Sequence, residues 1–362
     1  MATPSPASPS STTRPYNALL LTTFAILSVA GLWFMRVSLV LYDAPKDFLA
    51  ITEAGVHPNG TPIRKQYTGL QHVDKGLSVL VTAFLAGPAG WNETFYWQQF
   101  HFLHQITGLI AIMNIEACGA IVLPIWMLLF HRLACQNTYF ASGRALPQSY
   151  ARAILPGTLL FYLVPTTALF LPGQSMHVLQ ASLACWQFAP LLANLPLWLV
   201  ALPWPPSSSS SKPADTDDTP HLKATYNTVF LVSTLSHWTT IYKVAASESP
   251  HVSLARVFLP HTEHWLASVD EGLLWVFQCD WLIIAACYVL AALTAVYDVQ
   301  RLLPDLDTDP AGDKMFKGVY VVVALTVLGG PGAALAMIWS WREDKMAIME
   351  ERAGNMEVKK GI

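Results

Sequence analysis

Residues 269–297 read VDEGLLWVFQCDWLIIAACYVLAALTAVY. A bilayer needs about 20 consecutive apolar residues from one helix, and this run exceeds that. It also holds an acid, Asp280, well inside its apolar stretch. A second acid, Glu116, lies in the run GLIAIMNIEACGAIVLPIWMLLF, residues 108–130. A charged side chain at the bilayer centre costs about 3 kcal/mol on insertion scales, so such residues face a protein interior and carry proton or substrate chemistry.

The rest of the chain agrees with a membrane reading. Of 362 residues, 53% are hydrophobic and only 12% charged, with mean hydropathy +0.39, whereas a soluble domain is about 25% charged. The expected fold is all-α: a polytopic integral membrane helical bundle of about eight transmembrane helices. The candidate spans are 17–41, 70–88, 100–130, 152–172, 177–203, 226–245, 269–297 and 316–340. Residues 1–16 are rich in Ser, Pro and Thr and read as a disordered N-terminus. Residues 17–340 form one bundle, interrupted by a flexible linker, 203–220. Residues 341–362 form a polar C-terminal tail.

Orientation is not fixed by charge. Segments 43–69 (Lys46, Arg64, Lys65) and 131–152 (Arg132, Arg144) would both face the cytoplasm, but the basic tail then lies on the opposite side. Two glycosylation sequons, Asn59-Gly60-Thr61 and Asn92-Glu93-Thr94, fall on opposite sides of the second span, so at most one is used. A net charge of -3 gives no sign of nucleic-acid binding. The five cysteines form no pair suited to zinc or redox chemistry. His261-Thr-Glu-His264 lacks the HExxH spacing, and no Walker or Rossmann glycine pattern occurs. No metal or other cofactor is expected.

On the third span His101, Gln105, Gly108, Ile112, Glu116 and Gly119 recur every three or four residues and share about a quarter of the helix circumference. On the seventh, Asp270, Leu273, Phe277, Asp280, Ile284 and Cys287 share a face flanked by Trp275 and Trp281. Asp270 and Glu271 open that helix, where an acid is favoured by the helix dipole and solvated. Asp74 opens the second span in the same way. A buried acid, a greasy cavity and aromatic faces suit protonation of an alkene or epoxide. The cation is held by aromatic faces, and a second polar group removes the final proton.

Three stretches resemble the small membrane-bound terpene cyclases of fungal meroterpenoid pathways, of the macrophorin, ascochlorin and ascofuranone type. They are YTGLQHVDKGLSVLVTAF (67–84), NIEAC (114–118) and FQCDWLI (277–283). The resemblance implies a farnesylated aromatic substrate, some with a terminal epoxide, and residence in the endoplasmic reticulum beside pathway enzymes such as a prenyltransferase or epoxidase. It makes Asp280, Glu116 and Asp74 the three acids to test as catalytic residues and does not say which one starts the reaction; our expectation is Asp280 as donor, Glu116 as a second acid or relay and Asp74 as an orienting partner. His101, Gln105, Phe277, Trp275, Trp281 and Gln278 are the expected substrate-binding residues. Competing readings are a proton-coupled transporter of a hydrophobic metabolite, a cytochrome using His101, His104, His177 or His237, and a non-catalytic scaffold.

Overall fold

A computed structural model describes residues 13–116, 123–141, 146–201, 218–303 and 311–360; at 113–116, 141, 311–314 and 350–360 it describes the backbone alone. The linker, apart from its last three residues, and Cys118 and Gly119 lie outside the described residues. Among these the regular structure is helical, apart from two isolated β-bridges. The helices are α1 (Asn17–Tyr42), α2 (Phe48–Ala54), α3 (Gln71–Leu85), α4 (Glu93–Gln105), α5 (Thr107–Glu116), α6 (Leu123–Leu133) and α7 (Gln148–Leu169). They continue with α8 (Met176–Trp186), α9 (Ala189–Ala201), α10 (Thr219–Ala245), α11 (Leu254–Phe258), α12 (Val269–Leu302), α13 (Ala311–Gly329) and α14 (Pro331–Lys360).

The all-helical expectation holds, but the count of about eight spans does not. Among the described residues three helices are long and apolar enough to cross a membrane: α1, α7 and α12. The pair α8–α9, bent by 50°, makes a fourth if it is one broken span. Two of the other expected spans are interrupted. The one over 100–130 is split between α4, α5 and α6, and the one over 316–340 breaks at Gly330.

Contacts sort the polar groups into two ends. At one, the Arg14 guanidinium holds Asp298 near the C-terminus of α12, and Arg14 Nη2 donates to the Ala134 carbonyl just past α6. Arg301 donates to Asn137 (2.6 Å), and Lys223 pairs with Asp344. At the other, Ser268 caps α12 by accepting from the Glu271 N–H (3.2 Å), and Asn92 caps α4 by accepting from the Phe95 N–H (3.0 Å). Each satisfies an orphan donor of a helix start.

This arrangement corrects the expected topology. The segments before and after α3 meet: the rings of His57 and Trp91 lie 4.3 Å apart. His57 and Asn92 also reach neighbouring residues of α12, Asp270 and Glu271. Both sequons therefore sit at the Asp270 end. The 15 residues of α3 extend roughly 22 Å at ~1.5 Å each, short of the ~30 Å hydrocarbon core. With α3 no longer a crossing, segment 131–152 and the chain past α12 fall at one end, and segment 43–69 falls at the other.

The break at Gly330 is buried. Gly330 takes φ +87, a left-handed conformation that glycine adopts without strain. Gln105 Oε1 accepts from the Gly332 N–H (2.9 Å), while its Nε2 donates to the Ser233 carbonyl (2.7 Å). One side-chain amide thus joins α4, α10 and the start of α14. A Cβ on Gly332 would stand 2.7 Å from the Gln105 carbonyl oxygen. Trp339 and Arg342 of α14 pack against Phe130 and Tyr139 toward the Arg14 end, so α13 and α14 form a hairpin whose turn lies within the protein. Non-helical backbone at such depth is tolerated only where protein covers it.

Candidate acid–base site at the start of α12

Successive faces of α12 point to different neighbours, and this separates the residues the sequence grouped together. Phe277 and Trp281 face α4: Phe277 meets Phe84 (4.7 Å), Phe95 (5.5 Å) and Phe102 (6.2 Å), and Trp281 meets His101 (5.1 Å) and Phe102 (5.7 Å). His101 is 1% exposed; its Nε2 bonds His237 Nδ1 at 3.0 Å, and its Nδ1 has no partner. His101, Phe277 and Trp281 therefore share one buried aromatic layer. Gln105, on the same helix as His101, is fully engaged at the α14 turn.

Trp275 faces the first helix, against Phe34 (5.7 Å) and Trp265 (4.5 Å). Asp280 is half-buried on the α1 side, beside Cys279, which packs with Phe34, Met35 and Leu39. The charged group acting on it is Arg36, carried on a π-helical turn of α1, Trp33–Val37. Asp280 therefore stands apart from the His101 layer. Glu116 closes α5, and its side chain lies outside the described residues.

Asp74 is held by the loop ahead of it. Its Oδ1 accepts from the N–H of Tyr67 (3.1 Å) and Thr68 (2.7 Å) and from the Thr68 hydroxyl (2.9 Å); its Oδ2 accepts from the Gly69 N–H (3.0 Å). The Thr68 N–H, then the Thr68 hydroxyl and the neighbouring amides, hold the carboxyl below the usual carboxylate range against the opposing pull of burial. Most of its acceptor capacity is spent on the Tyr-Thr-Gly turn. The Tyr67 phenol is pushed up to about 12, mainly by burial, and its ring lies 5.2 Å from the Arg64 guanidinium.

The acid with an imidazole partner is Asp270, expected from its position to be a solvated helix start. Asp270 Oδ1 lies 3.1 Å from His57 Nε2, with the side chains 21% and 5% exposed. Trp91 covers the imidazole. The next residue, Glu271, accepts both Nη2 contacts of Arg256 (2.8 and 3.0 Å) and a bond from Asn92 Nδ2 (3.2 Å). Gln278, two turns on, donates to the carbonyls of Arg256 (2.5 Å) and Val257 (3.2 Å). Arg256, Glu271, Trp275 and Gln278 line a cavity of about 10 Å³, room for about one water. Of the expected substrate-binding residues, Gln278 and Trp275 thus belong to this site, and His101, Phe277 and Trp281 to the layer beneath it.

A larger cavity, about 240 Å³, opens beside the same loop. Pro88, Ala89 and Gly90 form one wall; Tyr96, Phe170 and Met176 form another. Its lining is mostly apolar and aromatic, as small-molecule sites are, though it is smaller than the ~300–1,000 Å³ usual for them. The two residues that follow the wall, Trp91 and Asn92, are the ones that touch His57 and Glu271. His57 lies 213 residues before Asp270, and no sequence spacing announces such a pair. Among the described residues no group of three or more His, Cys, Asp or Glu is placed to hold a metal ion.

The family model of the CtvD domain matches residues 118–347. The match contains α12 with Asp270, Glu271, Gln278 and Asp280, and also Arg256; His57, Asp74 and His101 precede it. No curated protein and no solved structure matches the chain.

Proposed function

Because the chain belongs to the CtvD domain family, whose membership is compatible with a meroterpenoid-related role, we propose that it is a membrane-bound terpene cyclase of a meroterpenoid pathway. Its substrate is a farnesylated aromatic compound or its terminal epoxide, and it works in the endoplasmic reticulum beside a prenyltransferase or epoxidase. The observation that carries this reading is the Asp270–His57 hydrogen bond, covered by Trp91 next to an apolar cavity. Asp270 delivers a proton to the alkene or epoxide, the cyclised cation loses one proton to a basic group in the pocket, and His57 relays a proton back to Asp270. Aromatic faces shelter the cation, since cation–π attraction strengthens away from water. Arg256 holds Glu271 in two contacts, leaving the neighbouring Asp270 free to donate.

Asp280 and Glu116 are the acids of an alternative assignment, with Asp280 as donor and Asp74 positioning the loop. The test is a microsomal assay with a farnesylated phenol and its terminal epoxide, the products read by mass and NMR. A cyclic isomer of unchanged mass is expected. Asp270→Asn should lower its formation by about 10²–10⁴, the usual share of a general acid, while Asp280→Asn stays near wild type. The reverse pattern moves the donor to Asp280, and no cyclic product from either substrate ends the cyclase reading.

A second reading, a proton-coupled transporter of a hydrophobic metabolite, is favoured by the break between α13 and α14, because transporters place broken helices at their binding sites. Flux of the prenylated phenol into sealed vesicles under a proton gradient, with no isomer formed, would select it.

A further inference from the structure

We propose that Asn59 carries an N-linked glycan, and that the Asp270 end of the bundle therefore faces the lumen. The chain offers two acceptor triplets at this one end, and their geometry separates them. Asn59 is exposed at the tip of a tight hairpin. His57 N–H donates to the Thr61 carbonyl (2.9 Å), Gly60 N–H donates to the His57 carbonyl (2.8 Å), and Val56 bridges Pro62. The Thr61 N–H donates to Asn59 Oδ1 (3.0 Å), so the carboxamide oxygen is held within the triplet. Among the described residues no hydrogen bond engages Asn59 Nδ2. A Cβ placed on Gly60 would meet nothing within 4 Å, so the tip stands clear of the bundle.

Asn92 has the opposite character. Both ends of its carboxamide are engaged, one capping α4 and the other donating to Glu271. The hydroxyl-bearing residue of its triplet, Thr94, is 3% exposed and donates to the His251 carbonyl (3.4 Å). An enzyme that must grip an extended acceptor has nothing to hold there.

Charge places the same end away from the cytoplasm. In sequence, the segments that continue from the elements at the Arg14 end carry Arg132, Arg144 and Arg152, then Lys212 and Lys223, then Arg301, Lys314 and Lys317. The tail adds Arg342, Lys345, Arg352, Lys359 and Lys360. The Asp270 end carries fewer, Lys46, Arg64, Lys65, Lys75, Lys243 and Arg256, and the count of Lys and Arg decides orientation.

The modification balances simply. Asn59 Nδ2 forms a bond to the anomeric carbon of a lipid-linked oligosaccharyl diphosphate. The anomeric C–O bond breaks, the lipid diphosphate leaves, and the amide nitrogen loses one proton. The proposal rests on the endoplasmic-reticulum placement and not on the cyclisation.

The test is translation of the full chain into microsomes, followed by endoglycosidase H and alkaline carbonate extraction. Wild type should shift by one glycan, Asn92→Gln should keep the shift, and Asn59→Gln and Thr61→Ala should lose it. Loss of the shift in Asn92→Gln alone, or an inserted chain with no glycan, would overturn the proposal. A chain removed by carbonate would overturn the membrane placement with it. Cyclase activity is read separately, from the wild-type chain in the same microsomes, so that failure of cyclisation and absence of a glycan are told apart.

Discussion

Two aspartates at the Asp270 end show how neighbours decide what a carboxylate can do. Asp74 is surrounded by donors and spends its charge holding a turn; Asp270 has one imidazole, covered by Trp91. The Asp74 contribution to stability follows from its lowered pKa. It is fully present above the unfolded carboxylate range, about 3.9, and is lost as pH falls through the lower folded value. Melting temperature in detergent should therefore drop on acidification below about pH 5, and Asp74→Asn should melt lower at pH 7 with a flatter acid limb. A variant that melts like wild type at pH 7 would remove the turn-holding role. His57→Gln, which keeps a polar side chain of similar length, should lower cyclisation more than it lowers the melt; equal loss of fold and activity would make His57 a packing residue only.

At the scale of the element, the α13–α14 turn depends on Gln105 more than on any run of apolar residues. Gln105→Leu leaves the Gly332 N–H without its acceptor, and a buried unpaired donor costs about 1–3 kcal/mol. Gly332→Ala should destabilise by a similar ~1–3 kcal/mol, because the new methyl group meets backbone and has nowhere to move. Both are read as shifts in detergent-solubilised melting. The sequence carried part of this: Gly329-Gly330-Pro331-Gly332 is a strong turn signal, yet hydropathy runs through it and the eighth span was drawn across. α12 was legible because its apolar run is continuous. Asp270 reads in sequence as a solvated carboxylate at a helix start, and only the tertiary fold brings His57 to it, under Trp91. The face shared by Asp280, Phe277 and Asp270 on a helical wheel dissolved because α12 is packed on several sides, so nearby angles meet different helices.

Across the whole molecule, the Arg14–Asp298 pair ties the start of the chain to the far end of α12, with both side chains 3% exposed. Removing one partner of a buried pair costs about 3–5 kcal/mol, because the other charge stays buried; Arg301, 3.5 Å from Asp298, should hold Arg14→Ala near the lower figure. The double variant Arg14→Met, Asp298→Leu should recover much of that loss, and a double variant no better than the single would show that Arg14 acts through other contacts. The buried turn at Gly330 also has a consequence in time. Gln105 leaves the ribosome more than two hundred residues before Gly332, so α4 must wait with the Gln105 amide lacking its Gly332 partner. The last hairpin then docks from the Arg14 end and supplies it. Assembly is thus finished by the final segment synthesised, and a chain stopped after Gly329 would hold every long apolar helix and still display an unfinished seam to the cell's quality-control machinery.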